Sequence, residues 1–256
     1  MKVLLFSDLH DSSRGLKALI DFLSKNQDIV GLVFAGDLTN MGQPVEYVRK
    51  FISEISEFNL PLLWVPGNND FGESYKVLQD FTPSLEGRVV ELAEKGGISR
   101  LENPMARDEG RKVLRFTGVG GSPASWESEY RGEQTLKKED IAGKIFVSHY
   151  PPDGIRHTTN HKSQITNRKQ ISNHEAPNSK DVILSEAKDP NNQTMKQSNN
   201  EVRFTDAPIA HICGHLHSTY GIGWIGQTKV IQLASSALGH IAIMDLSNLK
   251  VKFIKL

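Results

Sequence analysis

Val3-Leu4-Leu5-Phe6 is a compact apolar run that stops at Ser7-Asp8, and the same arrangement recurs twice within the next sixty residues. Ile29 to Ala35 ends at Gly36-Asp37, and Leu62 to Val65 ends at Pro66-Gly67-Asn68-Asn69-Asp70. Such short, unbroken apolar runs read as buried strands. Between them the spacing changes to the helical period. Leu16, Leu19, Ile20 and Leu23 mark one face of a helix over 15–23, and Val45, Val48, Phe51, Ile52 and Ile55 mark a second. Strands separated by helices predict right-handed crossovers and a largely parallel sheet. In sheets of this kind ligands gather at the carboxyl ends of the strands. All three polar breaks lie there.

The later chain alternates less regularly. Val89 to Leu92 and Val113 to Thr117 predict two strands joined by a Gly-rich connection. Five further strands are predicted over 145–147, 209–213, 229–233, 241–244 and 251–254. These later strands predict a second sheet packed against the first. Two of them end on polar motifs as well, Ser148-His149-Tyr150-Pro151-Pro152 and Gly214-His215-Leu216-His217. The proline pair forbids continuation as a central strand and fixes the loop there.

Residues 157–200 break the pattern. They are rich in Asn, Lys, Ser and Gln and contain no Phe, Trp or Tyr. That composition buries too little apolar surface to offset the ordering entropy, so the segment is expected to be mobile. Asp181 to Pro190 resembles the translated product of a short bacterial genomic repeat, which favours a passive insertion over a lid. The domain reading is a single domain over 1–256, interrupted at about 157–200.

Composition narrows the function classes. At 256 residues the chain can bury a sizeable core. Thirty basic residues balance thirty acidic ones, so no overall field recruits a long polyanion, and nucleic acid is not the expected partner. Cys213 is the only cysteine, which excludes an internal disulfide and fits a reducing compartment. The apolar run at Met1 to Phe6 is too short for a signal peptide, and no stretch reaches the length of a membrane span, so a cytoplasmic protein is expected. A homo-oligomer remains open. There is no G-x-S-x-G elbow and no GK[ST] loop, so neither a serine hydrolase nor a nucleotide-binding P-loop is supported.

The five polar breaks carry the candidate chemistry. Asp8 and His10 stand two apart and would share a face of a continuing strand. Asp37 offers a carboxylate able to bridge two cations, Asn68 a neutral amide oxygen, and His149, His215 and His217 imidazoles. Without a thiolate, this donor set suits manganese first, with iron, zinc, nickel or magnesium as alternatives. His211, inside a strand pattern, reads as packed or hydrogen-bonded. His240 has no motif support, and His157, His161 and His174 read as solvated. Trp126, Ser122 and Tyr150 are candidates for the wall of a substrate cleft.

The order D-x-H, GD, GN-x-D, SH-x-PP and GHxH resembles the calcineurin-like metallophosphoesterases, over nearly the whole chain outside the segment after His157. The resemblance implies a four-layer α-β-β-α sandwich with two mixed β-sheets. It implies two divalent metal ions, one held by Asp8, His10, Asp37 and His217 and the other by Asp37, Asn68, His149 and His215. It also implies hydrolysis of a small phosphoester, monoester or diester, by a bridging water, with Asp37, Asn69 and Asp70 as the catalytic positions. Most active relatives carry a histidine where this chain has Asn69, and an amide is no general acid near neutral pH. A non-catalytic docking scaffold of the same fold is therefore the alternative.

Overall fold

The computed structural model describes residues 1–93, 98–100, 113–121, 141–152 and 207–256, the strand at 98–100 by its backbone. The first sheet contains β1 (Lys2–Phe6), β2 (Ile29–Phe34) and β3 (Leu62–Trp64), paired parallel. The intervening helices are α1 (Ser13–Lys25), α2 (Val45–Ser56) and α3 (Gly72–Phe81). α1 starts two residues before the helix predicted over 15–23 because Ser12 caps it, its hydroxyl accepting the Gly15 N–H at 3.0 Å.

The second sheet contains β4 (Val90–Ala93), β5 (Ile98–Arg100), β6 (Val113–Val119), β7 (Ile145–Ser148), β8 (Ala210–Cys213), β9 (Gly221–Ile225) and β10 (Thr228–Gln232), in the order β5-β4-β6-β7-β8-β10-β9. β6, β7, β8 and β10 run parallel, and the remaining pairs of this sheet are antiparallel.

The last two strands, β11 (His240–Asp245) and β12 (Lys250–Lys255), differ from expectation. They join the first sheet, giving the order β12-β11-β1-β2-β3. The reason lies in β1. Val3 and Leu5 enter the core between the sheets, while Leu4 and Phe6 face the helices, so β1 is apolar on both faces and needs neighbours on both edges. β11 supplies the second edge, antiparallel, with Lys2 opposite Asp245 and Leu5 opposite Ala242.

The layers follow from this alternation. Val33, Leu63, Ile145, Val147, Ile212 and Ile231 fill the space between the sheets. Leu16, Leu19, Val48, Phe51 and Leu78 pack the three helices onto Phe34 and Trp64 of the first sheet. On the far face of the second sheet Phe146 packs against Ile141 and Val119, and most of the fourth, helical layer expected there lies outside the described residues. The segment 157–200 also lies outside them.

Candidate metal centre

β1, β2, β3, β7 and β8 all end at one edge of the sandwich, and their loops are tied together by the main chain. Asp8 N–H donates to Gly36 O at 2.8 Å, His10 N–H to Asp37 O at 3.1 Å, and Gly214 N–H to His149 O at 3.0 Å. Asp8 and His10 therefore do not sit on a continuing strand. Their backbones turn into the left-handed region, with φ of 55° and 45°, and Asp37 (60°) and His215 (70°) do the same. Non-glycine residues there are uncommon and concentrate at functional sites, where the surrounding structure holds them. Glycine is required beside them. A Cβ on Gly67 would stand 2.0 Å from Asp37 Oδ1, and one on Gly214 would stand 1.9 Å from Ser7 Oγ.

The first group of converging atoms comprises Asp8, His10, Asp37 and His217, whose donor atoms all lie within 4.8 Å of one another. His10 Nε2 is 2.9 Å from His217 Nε2, 3.7 Å from Asp8 Oδ1 and 3.6 Å from Asp37 Oδ2. His217 Nε2 is 3.4 Å from Asp8 Oδ1. On the other side of the His10 ring, Nδ1 donates to Asn40 Oδ1 at 3.0 Å, which leaves the Nε2 lone pair facing the group. Asp8 Oδ1 is the one fully buried side-chain oxygen or nitrogen among the described residues with no hydrogen-bond partner. A buried carboxylate oxygen left unpaired is costly. Two imidazole nitrogens and two carboxylates converging around that oxygen form a group suited to a cation.

A second set of side chains adjoins Asp37 through His149. His149 Nδ1 donates to the Ala35 carbonyl at 2.8 Å, so its Nε2 faces Asn68 Oδ1 at 2.9 Å and Asp37 Oδ2 at 3.3 Å. His215 Nδ1 lies 3.3 Å from His149 Nε2, and the Tyr150 ring stacks on His215 with centroids 4.2 Å apart. With its proton on Nδ1, His149 presents a lone pair to two acceptor oxygens. A cation, a metal ion or a proton, resolves that arrangement.

Asn69 and Asp70 face away from open chemistry. Asn69 donates its backbone N–H to Asp37 Oδ1 at 2.7 Å and its side-chain Nδ2 to Asp37 Oδ2 at 2.8 Å. Asp70 is buried, and its two oxygens accept the backbone N–H groups of Asp37, Leu38, Thr39 and Gly67 at 2.7 to 3.1 Å. Its carboxylate shapes the Asp37 loop. Asn40, which sequence reasoning passed over, orients His10 and also donates to the His10 carbonyl at 3.1 Å. Its only signal is a short polar residue three positions after Asp37.

A sequence model of the calcineurin-like phosphoesterases matches residues 1–224. The chain belongs to that family. Among solved structures, the TT1561 protein of Thermus thermophilus has a similar fold at 14% identity, with a TM-score of 0.53 covering 99% of this chain and 98% of that one. The phosphoesterase Yfce of E. coli is 11% identical, with a TM-score of 0.43 and coverage of 100% and 99%. A comparison with curated proteins finds no match. Membership of the family makes the chain a hydrolase of phosphoesters that works with divalent metal ions, and the cluster at Asp8 suits one.

The remaining candidates in this phosphoesterase fall away from the centre or outside the described residues. His211 is buried on the outer face of β8, with Nε2 2.7 Å from Ser148 Oγ. His240 lies 3.0 Å from Lys255 Nζ and beside Tyr220. Cys213 is buried, and burial pushes its thiol up and out of reactivity. Ser122, Trp126, His157, His161 and His174 lie outside the described residues. No helix among the described residues is long and apolar enough to cross a membrane.

The electrostatics make one pH-dependent prediction. Burial pulls His149 down, but the Asp37 and Asp8 carboxylates push it up to about 9. An unfolded histidine titrates near 6.5. The metal-free phosphoesterase therefore carries a stabilising proton on His149 that is fully present below about pH 6.5 and is lost as pH rises through about 9. Calorimetry of chelator-treated protein should show Tm falling between pH 7 and 9.5. In manganese-loaded protein the ion replaces that proton, and the fall should be absent.

Proposed function

We propose that the chain hydrolyses a small phosphoester by in-line attack of water at a centre where two divalent ions share Asp37. The carrying observation is the convergence of candidate ligand atoms next to one carboxylate. Asp8 Oδ1, His10 Nε2 and His217 Nε2 cluster with Asp37, and His149 Nε2, which adjoins Asn68 Oδ1 and His215 Nδ1, lies 3.3 Å from Asp37 Oδ2. Ions bound there would stabilise charge on the phosphoryl oxygens and lower the pKa of a water between them.

The chain's own residues do the positioning. Asn40 and the Ala35 carbonyl fix the tautomers of His10 and His149 so that Nε2 faces inward in each. His215 is held low first by burial, which keeps its ring neutral and able to act as a ligand. Oxygen and imidazole donors without thiolate favour manganese, with iron, zinc, nickel and magnesium next. The single buried cysteine fits a protein of the reducing cytoplasm. The chain reads as one domain over 1–256 interrupted by an insertion at about 157–200.

The test is elemental analysis coupled to turnover of p-nitrophenyl phosphate and its bis-ester. About two ions per chain and chelator-sensitive turnover are expected. Metal-loaded protein that turns over neither ester would defeat the enzyme reading and leave the docking scaffold in its place.

A further inference from the structure

We infer that His211 is a positioning residue for the metal centre, acting from the outer face of the second sheet through Ser148 on the turn that carries His149 and Tyr150. This role rests on the reading above in which His149 and His215 hold an ion, and it adds a distant residue to the support of that site.

In the parallel pairing of β7 with β8, Phe146 lies opposite His211 and Ser148 opposite Cys213. Val147 and Ile212 enter the core between the sheets, so His211 and Ser148 share the outer face. Both are buried, at 3% and 1% exposure. A buried imidazole loses its hydration, and an apolar side chain would fill the same place without that cost. The His211 ring meets the Phe146 ring edge-on, with centroids 4.8 Å apart, and its Nε2 lies 2.7 Å from Ser148 Oγ. The Ser148 hydroxyl in turn donates to the Tyr150 carbonyl at 2.5 Å. A hydroxyl has one proton to give. With that proton spent on Tyr150, Ser148 Oγ accepts from His211, which places a proton on His211 Nε2. The relay therefore runs in one direction, from β8 to β7 to the turn beyond it, and each bond polarises the next.

The turn held in this way lies against the candidate ligands. His149 stands between Ser148 and Tyr150 in the chain, and its Nε2 is 3.3 Å from Asp37 Oδ2. The Tyr150 ring stacks on His215 with centroids 4.2 Å apart and stands edge-on to His149 at 5.4 Å. One ring thus packs against both imidazoles. Pro151 and Pro152 follow Tyr150 and have no N–H with which to tie the turn to its own main chain. The Ser148 hydroxyl supplies that tie, and His211 holds the hydroxyl in the direction that makes it. Fixing the Tyr150 carbonyl fixes where its ring stands, and the ring sets the tilt of His215. His211 acts on the centre through this turn, as supporting partners of metal ligands do.

Three variants test the relay, with Tm as a check of folding. His211→Phe keeps a ring against Phe146 and removes the donor, His211→Gln restores an N–H, and Ser148→Ala removes the middle of the relay. In metal-free wild type, proton–nitrogen correlation spectra of the histidine rings should find the His211 proton on Nε2, and the His215 ring protons should be shifted upfield by the stacked Tyr150 ring. In His211→Phe and Ser148→Ala those protons should move back towards the values of an unstacked imidazole, and manganese titration calorimetry should show one of two binding steps weakened about tenfold. His211→Gln should recover most of both. Either wild-type His215 shifts or wild-type metal affinity in a folded His211→Phe protein overturns the positioning role, and Ser148→Ala is judged by the same readings where His211→Phe does not fold. A His211→Gln protein as impaired as His211→Phe also overturns it, since packing alone would then account for the loss. A wild type that binds a single ion is failure of the two-ion reading, and the His215 shifts of metal-free protein still judge the positioning role.

Discussion

Asp37→Asn is expected to lower kcat/KM for an aryl phosphoester by about a thousandfold, and metal content with it. Ions at such a centre supply several kcal/mol of transition-state stabilisation, and about 1.4 kcal/mol corresponds to each factor of ten. On the proposed reading Asp37 is the residue that both groups of candidate ligands share. The residue is 1% exposed, with Oδ2 at 3.3 Å from His149 Nε2 and 3.6 Å from His10 Nε2. Burial would raise its pKa, but His149 and the two Asn69 hydrogen bonds hold it well below the usual carboxylate range, so the negative charge persists throughout the working pH range. Asparagine keeps the shape and the acceptor for Asn69 N–H but removes that charge. The variant also deprives His149 of its main counter-charge, so the fall in Tm of metal-free protein between pH 7 and 9.5 should disappear with the activity. Elemental analysis, steady-state kinetics and calorimetry on one preparation check all three. Unchanged metal content and turnover would refute the shared-ligand reading.

The parts of this molecule that were legible in the sequence are those where one physical rule dominates. Val3 to Phe6, Ile29 to Phe34 and Leu62 to Trp64 are apolar on both faces, so they declare themselves as central strands and place the residues that follow at the sheet edge. That is why Asp8, Asp37 and Asn68 could be named as neighbours from sequence. What escaped depended on weak signals or distant partners. α3 buries only Ser74 and Leu78, too few to show a helical period. β9 alternates glycine with Ile222 and Trp224 and carries little strand character, and β5 is three residues long. The return of β11 and β12 to the first sheet is decided by the unfilled edge of β1, some 240 positions earlier. The site shows the same division. The gathering of Asp8, His10, Asp37 and His217 follows from residue type and strand-end position. The hydrogen bonds that orient the ligands, from Asn40, Asn69 and the Ala35 carbonyl, cross between loops and leave no local pattern.

Asp70 is where this division has its largest measurable consequence. Motif order alone puts it among catalytic positions, but its contacts make it the keystone of the loop after β2. Four backbone N–H groups, of Asp37, Leu38, Thr39 and Gly67, end on its two oxygens. Each buried donor left unsatisfied costs about 1 to 3 kcal/mol. Partial relaxation and water entry spare some of that, so Asp70→Ala should lose about 4 kcal/mol, a large share of the roughly 5 to 15 kcal/mol that holds a domain folded. For a chain of this size the Tm should drop by about 10 °C. Asp70→Asn retains one acceptor oxygen but turns an amide N–H towards the donors that the other oxygen had served, so it should fall between the two. Denaturation of metal-free protein separates the roles. A purely catalytic Asp70 would leave stability intact while kcat collapsed. A keystone lowers Tm first, and metal affinity and turnover fall because the φ of 60° at Asp37 is no longer held.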